Sequence, residues 1–406
     1  LARMACGPAG VGWLHSSPRP ALDFTVPEHV EALRGEVRRF AEREIRPRVM
    51  DWDEHKTFPL DVVQQLGAMG MLGIIFPEAY GGAGMGYLEY AVAVEELSRV
   101  DGSIGITVAA HNSLCCNHIY AMGDERQKQR FLRPLASGQA LGAWALTEPG
   151  SGSDAGALRT QGRKEGSHWI LNGTKTFITH AKVGEVAVVM ARTRPPREGR
   201  GSTDGISAFV LEKGMNGFRP GKTENKLGLR ASDTGELILE DVRVPEENML
   251  GEEGVGFKQA MKTLDGGRIS IAALGLGMAQ GAFEEALKYA KVREAFGKPI
   301  AEHQGIQFKL ADMGTAVEAA RLLVYRAACL KDQGMPYAKA ASMAKLYSSE
   351  VACRVADEAV QILGGYGYVK DYPVEKYYRD VKLCTIGEGT SEIQRTVIAR
   401  YLMMEY

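Results

Sequence analysis

Residues 168–179 read HWILNGTKTFIT, and this stretch decides the fold class. Two β-favouring runs flank Asn172-Gly173, a pair that predicts a tight hairpin turn. Three further short strands follow, VAVVMART (186–193), GISAFVLE (205–212) and ELILEDVRVP (236–245), joined by glycine-rich and charged turns. The exposed loop PPREGRGSTDG near 194–205 is the one long connection. Residues 141–251 therefore read as a β domain. Towards the N-terminus the periodicity changes. Pro27 suits a first helical turn, and Val30, Leu33, Val37, Phe40 and Ile45 recur at mostly three- and four-residue spacing, the mark of an amphipathic helix. Further helices are predicted over 61–72, 87–99, 103–121 and 125–136, so 25–140 reads as a helical domain behind an extension at 1–24. From 252 to 406 the texture is helical again, most clearly in GRISIAALGLGMAQGAFEEALKYAKV (267–292) and KLADMGTAVEAARLLVYRAACLKD (309–332). The order helices, sheet, helices gives an α+β fold, mainly α, and not alternating βα units.

At 406 residues the chain is long enough for two or three domains, with 45% hydrophobic and 24% charged residues. Lys and Arg number 49 against 50 Asp and Glu, a net charge of -1, so no basic stripe is available for nucleic acid. The six cysteines, Cys6, Cys115, Cys116, Cys329, Cys353 and Cys384, form no CxxC pair and sit near no histidine cluster, which predicts reduced thiols and no metal site. Nothing approaches a membrane span, and residues 1–24 lack the apolar core of a secretion signal, so the expectation is a cytoplasmic protein with a poorly ordered N-terminus, or a mitochondrial matrix protein if the source is eukaryotic.

Three glycine clusters invite a dinucleotide-fold reading: GGAGMG (81–86), GSGSDAG (150–156) and GLGMAQG (275–281). Two lack a preceding buried strand, the third lies inside a helical run, and all miss the G-x-G-x-x-G spacing. They are expected to serve turns and close helix packing.

Four strings carry a resemblance: LTEPGSGSDAG (146–156), KTFITH (175–180), REAFGKPIAEHQ (293–304), and ILGGYGY with IGEGTSEIQR (362–368 and 386–395). In order and spacing the chain from about residue 25 to 406 resembles the acyl-CoA dehydrogenase family. The resemblance implies a C-terminal four-helix bundle, an FAD cofactor lying between the domains and against a neighbouring subunit, a homotetramer, an acyl-CoA substrate and an electron-transfer flavoprotein as electron acceptor.

It also implies site residues. Glu388, between two glycines, is the base that removes the α-proton of the thioester, with Gly387 and Gly389 beside the substrate. Such chemistry requires a desolvated carboxylate and aimed donors. Isovaleryl-type relatives carry the base just before the arginine of an LDxxR segment; here that place is Gly267, before Arg268, which leaves the role to Glu388 and resembles the short- and medium-chain type. Arg268 is the partner of the base loop and of the CoA end, and Ser153 lies near CoA. Trp144, Leu146 and Thr147 line the pyrimidine side of the flavin, while Phe177 and Thr179 cover its dimethylbenzene side and N5. Arg293, Phe296 and Gln304 hold the pyrophosphate and adenosine of the adjoining subunit's FAD, completed by Gln361, Gly364 and Gly365. Thr390 and Glu392 close the flavin site near the base.

Two departures from the family pattern are visible. Gly387 replaces the common tyrosine, which predicts tolerance of branched or longer acyl groups, and Trp144 stands where tyrosine or phenylalanine is usual. Gly105 occupies the place of the arginine of glutaryl-CoA dehydrogenases, which disfavours a dicarboxylic substrate. An acyl-CoA oxidase of the same superfamily is the nearest alternative, disfavoured because such enzymes usually carry an extra C-terminal domain. Monooxygenase relatives lack the base, and a scaffold that has lost catalysis would not need these strings intact.

Overall fold

The computed structural model describes residues 25–405; Cys6 and the rest of the extension at 1–24 lie outside them. The N-terminal helices are α1 (Glu28–Phe40), α2 (Val49–His55), α3 (Leu60–Ala68), α4 (Tyr87–Ser98), α5 (Gly102–Ala110), α6 (Asn117–Met122) and the short α7 (Glu125–Gln127) and α8 (Arg133–Ala136). Pro27 sits one residue before α1 as its N-cap. Helix α3 stops four residues short of the expected end because Gly70, at φ 78, turns the chain into the left-handed region. Two wide turns, His111–Cys116 and Lys128–Leu132, join α5 to α6 and α7 to α8, so the two predicted long helices continue with local π-type widening.

The strands are β1 (Gly142–Ala145), β2 (Gln161–Glu165), β3 (His168–Thr179), β4 (Val186–Arg192), β5 (Ile206–Glu212), β6 (Phe218–Thr223), β7 (Thr234–Pro245) and β8 (Met249–Leu250). They form one sheet in the order β6-β7-β3-β2-β4-β5-β8, with β1 parallel on β4. Strand β4 is buried along nearly its whole length, and its alternation shows why. Val186, Val188 and Met190 face a core shared with Phe131, Leu132 and Leu135, whereas Ala187, Val189 and Ala191 face Trp169, Phe209 and Leu239.

The expected hairpin at Asn172-Gly173 is not there. Residues 168–179 form one continuous strand, and the turn lies earlier, at Gly166 (φ 61), where Glu165 pairs with His168. Gly173 serves a different need: a Cβ there would stand 2.8 Å from the Thr160 backbone, and the β3–β7 register shifts between Leu171 and Gly173.

The C-terminal part runs α9 (Gly256–Val292), a two-strand turn β9 (Glu294–Ala295) and β10 (Lys298–Pro299), then α10 (Gln304–Asp332), α11 (Ala338–Leu363), α12 (Val374–Asp380) and α13 (Ser391–Glu405). Helices α9, α10, α11 and α13 pack side by side, as the bundle expectation requires. They share one core with the N-terminal helices, in which Val37, Tyr90 and Leu97 meet Leu274, Met278, Val324 and Val355. The glycines of GLGMAQG make this possible: a Cβ on Gly277 would overlap the Glu95 carbonyl, and one on Gly281 would stand 2.6 Å from the Tyr377 hydroxyl.

Gly173→Ala is expected to destabilise the fold by roughly 2–3 kcal/mol, whereas Gly166→Asn, at a left-handed turn that asparagine tolerates, should cost less than about 1 kcal/mol. Denaturant midpoints of the two variants measure the difference.

Candidate active site

Glu388 sits in a turn between the end of α12 and α13, at φ 53, followed by Gly389 at φ 92. A charged residue in the left-handed region is a stored strain that surrounding contacts must hold. Gln394 of α13 does so by donating to the carbonyls of Glu388 (3.3 Å) and Gly389 (3.0 Å), and Lys345 of α11 donates to the Gly389 carbonyl at 2.7 Å. The turn directs the Glu388 side chain onto α9. There Gly267 has no side chain, and a Cβ at that position would overlap Glu388 Oε2 and stand 3.1 Å from Leu114. The carboxylate therefore lies against bare helix backbone.

Oε2 is buried and has no hydrogen-bond partner. Burial pushes the Glu388 carboxyl up to about 7, against the opposing attraction of Lys345 and Arg268. Arg268, itself buried, donates through Nη1 to Asp265 (2.6 Å) and to Ser342 Oγ (3.4 Å), while its Nε is unpartnered. The buried hydroxyls of Tyr87 and Thr263 also lack partners, and Tyr87 Oη would lie 3.0 Å from a Cβ on Gly266. Orphaned polar atoms gathered along one stretch of α9 mark a place built to receive a polar ligand.

The first two sequence strings meet in space. The Thr147 carbonyl accepts from Thr176 N–H (3.0 Å), and Lys175 Nζ donates to the Leu146 carbonyl (3.1 Å) and to Glu148 (2.7 Å). Glu148 in turn accepts from the N–H groups of Arg159 and Thr160. This buried pair fixes Leu146 and Thr147 beside Phe177 and Thr179, and sequence reading missed it; its one trace was a lysine within a β-rich run. Phe177 is 65% exposed and at φ 57, an apolar ring held open to solvent at a strained backbone. Trp144 is committed: its indole N–H donates to His118 Nδ1 (3.0 Å), and His118 Nε2 meets Gln259 Oε1 (3.3 Å). Burial takes His118 down to about 4, so the ring is neutral and Trp144 has only its face to offer. Ser153 is exposed on the loop after Ser151.

The remaining residues lie elsewhere. Arg293 ends α9, twenty-five residues beyond Arg268, which places it about 37 Å away along one helix axis. Its guanidinium lies 5.8 Å over the Tyr366 ring. Arg293, Gly364, Gly365 and Tyr366 line an open cavity of about 490 Å³. Gly364 and Gly365 have no atom near their Cβ directions, so their backbone is bare to it. Phe296 is 97% exposed at φ 51, Gln304 opens α10, and Gln361 is exposed on the last turn of α11. Thr390 Oγ1 caps α13 by accepting from Ile393 N–H (3.3 Å), with Glu392 exposed in that first turn. Gly387 is the open member of the base turn, its nearest neighbour Leu383 at ordinary contact distance.

Three family descriptions match the chain: acyl-CoA dehydrogenase N-terminal domain over 27–139, middle domain over 143–242 and C-terminal domain over 254–403. The chain belongs to the acyl-CoA dehydrogenase family. The short-chain specific acyl-CoA dehydrogenase of Clostridium acetobutylicum is 50% identical, with 93% of this chain and 99% of that one covered. The human mitochondrial short-chain specific enzyme is 48% identical over 94% and 92%. Butyryl-CoA dehydrogenase from Megasphaera elsdenii superposes with a TM-score of 0.91 at 44% identity, covering 94% of this chain and all of that one. The resemblance seen in the four strings, the helices-sheet-helices fold and the enzyme class are thereby borne out.

Acyl-CoA dehydrogenases are FAD-dependent. The residues of this chain fit such a group: an exposed aromatic ring at Phe177, a rigidly tied 146–147 backbone, and, at the far end, a guanidinium facing bare glycine backbone across a cavity suited to phosphates.

A buried base is costly to the fold. The folded-state pKa of Glu388 lies above its ordinary 4.5, so ionisation costs stability as the pH rises through about 7 and costs nothing below about 4.5. Glu388→Gln is expected to unfold at the wild-type temperature at pH 4.5 and to gain roughly 2 kcal/mol at pH 8, which thermal denaturation at the two pH values reads directly.

Proposed function

We propose that this acyl-CoA dehydrogenase oxidises a short-chain, saturated acyl-CoA to the trans-2-enoyl-CoA, with Glu388 as base and an electron-transfer flavoprotein as electron acceptor. The observation that carries the reading is the buried, unpartnered Oε2 of Glu388 over bare Gly267. A carboxylate with a pKa near 7 is poised to take a proton at neutral pH and strong enough to take it from carbon once the enolate oxygen is stabilised. Glu388 Oε2 accepts the α-proton of the thioester, and the Cα–H electron pair moves into the new Cα–Cβ double bond. The β-hydrogen would leave as hydride, for which FAD would supply the acceptor when bound. Phe177, Thr179, Trp144, Leu146 and Thr147 would hold its ring system, with Thr390 and Glu392 beyond the base, and Ser153, Arg268, Gly387 and Gly389 would face the CoA ester.

The separation of about 37 Å along α9 supports the remaining assignment. Arg293, Phe296, Gln304, Gln361, Gly364 and Gly365 stand too far along the helix axis to serve the same flavin as Glu388 of their own chain. They would hold the adenosine and pyrophosphate of a neighbouring copy, which makes the assembly a homo-oligomer, taken as a tetramer. The domain divisions 25–140, 141–251 and 252–406 place Glu388 and the α9 half of its site in the last domain and Phe177 in the middle one.

Short-chain relatives at 48–50% identity favour a butyryl-sized substrate. Gly387 puts no side chain beside the base, and its Cβ direction meets only Leu383 at ordinary contact distance, which supports tolerance of a branched acyl group. Gly105 supports the exclusion of a dicarboxylic one: a Cβ there would overlap Ser98 Oγ and stand 2.9 Å from Leu274, so no cation fits to pair a distal carboxylate.

Anaerobic addition of acyl-CoA esters to the purified holoprotein tests the reading. Butyryl-CoA should bleach the oxidised flavin band, isobutyryl- or 2-methylbutyryl-CoA more slowly, and glutaryl-CoA not at all; a yellow protein that none of them bleaches overturns it. Glu388→Gln should lower the reduction rate by at least about 10³-fold while ester binding persists. The kcat/KM profile should fall on the acid side with an apparent pKa near 7, because protonated Glu388 cannot accept a proton. Fast peroxide release in air would replace the flavoprotein acceptor by oxygen.

A further inference from the structure

Lys345 is fully buried near the start of α11, on a face otherwise made of Ala341, Ala344 and Ser348. A buried ammonium is costly unless its charge is answered. Among the described residues its Nζ has one hydrogen-bond acceptor, the Gly389 carbonyl, and no carboxylate within ion-pair reach. The same helix touches the base loop again at Ser349, whose Oγ lies 2.8 Å from the Cys384 carbonyl, so α11 holds both ends of the segment that carries Glu388.

Besides Lys345 of α11, the charged and titratable groups around Glu388 come from four further elements. From α9, Arg268 is already answered by Asp265 at 2.6 Å. From α4, Tyr87 and Tyr90 are phenols that burial pushes up, and both stay neutral. Before the loop, the Cys384 thiol is pushed up to about 12 by burial and is neutral too. From α13, Glu392 and Arg395 are exposed and screened by water. Lys345 is the one buried cation in the group with no carboxylate of its own.

We propose that Lys345 is a positioning residue for the base: its ammonium clamps the left-handed Glu388-Gly389 turn through the Gly389 carbonyl, and its uncompensated charge keeps the buried Glu388 carboxylate ionised. The assignment rests on Glu388 acting as the base. It explains why a lysine occupies a face of small core residues, and it gives the buried carboxylate the counter-charge that its missing hydrogen bonds do not supply. Burial takes Lys345 itself down to about 8, so its charge is largely present at pH 7 and is lost as the pH rises through about 8.

The test reads the Glu388 carboxyl directly. In pH-difference infrared spectra of the holoprotein, the protonated-carboxyl band of Glu388 is assigned by its loss in Glu388→Gln. Lys345→Met should move the titration of that band upward by about one pH unit or more, as loss of a nearby opposite charge does. Lys345→Arg should restore most of the wild-type value. Lys345→Gln keeps a donor for Gly389 without the charge, and it should shift like Lys345→Met; it also replaces that variant if the methionine protein does not fold. The acid limb of flavin reduction should move by the same amount in each variant. A Glu388 band that titrates at the wild-type pH in Lys345→Met or Lys345→Gln overturns the proposal and leaves Lys345 a packing residue. Turnover by Glu388→Gln at the wild-type rate would instead overturn the base assignment, an outcome the infrared titration does not depend on.

Discussion

Contact between a carboxylate and a helix with no side chain organises this molecule. Glu388 can lie on α9 only because Gly267 leaves its place empty. A carboxylate at 267 and another at 388 would compete for the same volume, so the fold admits one base there, from the helix or from the loop. Everything that supports Glu388 follows from choosing the loop. A left-handed turn aims the side chain downward, Gln394 and Lys345 hold the carbonyls on either side of the next peptide, and α9 stays bare beneath. The desolvation that results is the source of the raised pKa, and the same desolvation burdens the native state.

Glycine has a second use along the same helix. Gly277 and Gly281 let α9 approach α4 and Tyr377 to backbone contact, which fuses the N-terminal and C-terminal helices into one core instead of two. The floor under Glu388 is therefore not a surface helix free to bend. It is held on one side by α4 and α5 and on the other by α10 and α11. Rigidity of that floor matters because a base that must reach a carbon acid tolerates little displacement.

Much of this was legible in the sequence. Helical periodicity and short β-rich runs yielded the order of the three parts, and the GEGT and REAFGKPIAEHQ strings pointed to residues that the structure sets at two places along α9, one against Gly267 and one just past its C-terminus. Register was harder. Asn172-Gly173 has the chemistry of a hairpin turn, but the glycine is demanded by Thr160 across the sheet, and a contact between strands is invisible to a local pattern. Lys175 and Lys345 escaped for the opposite reason. Each is an ordinary residue by composition and becomes informative only once its side chain is known to be buried. A lysine among alanines and serines on one helix face was the only trace, and helical spacing alone does not say which face is inside. Trp144 shows a third limit: its indole N–H is spent on His118, a partner twenty-six residues away.

Placing Arg293 and Arg268 at opposite stretches of one uninterrupted helix has a consequence for how such a chain uses its cofactor strings. A helix does not fold back, so residues about 37 Å apart on its axis cannot converge on one small site however the loops move. On the reading proposed above, each copy supplies the reacting end of its own site and the phosphate-holding end of another's. The exposure of Phe296 and the open cavity beside Arg293 then have a physical reason. An apolar ring at 97% exposure and a bare glycine backbone cost a monomer solvation and order, and a second chain with its cofactor offsets both. Assembly and occupancy of the site are then linked equilibria, in which each favours the other by the same factor.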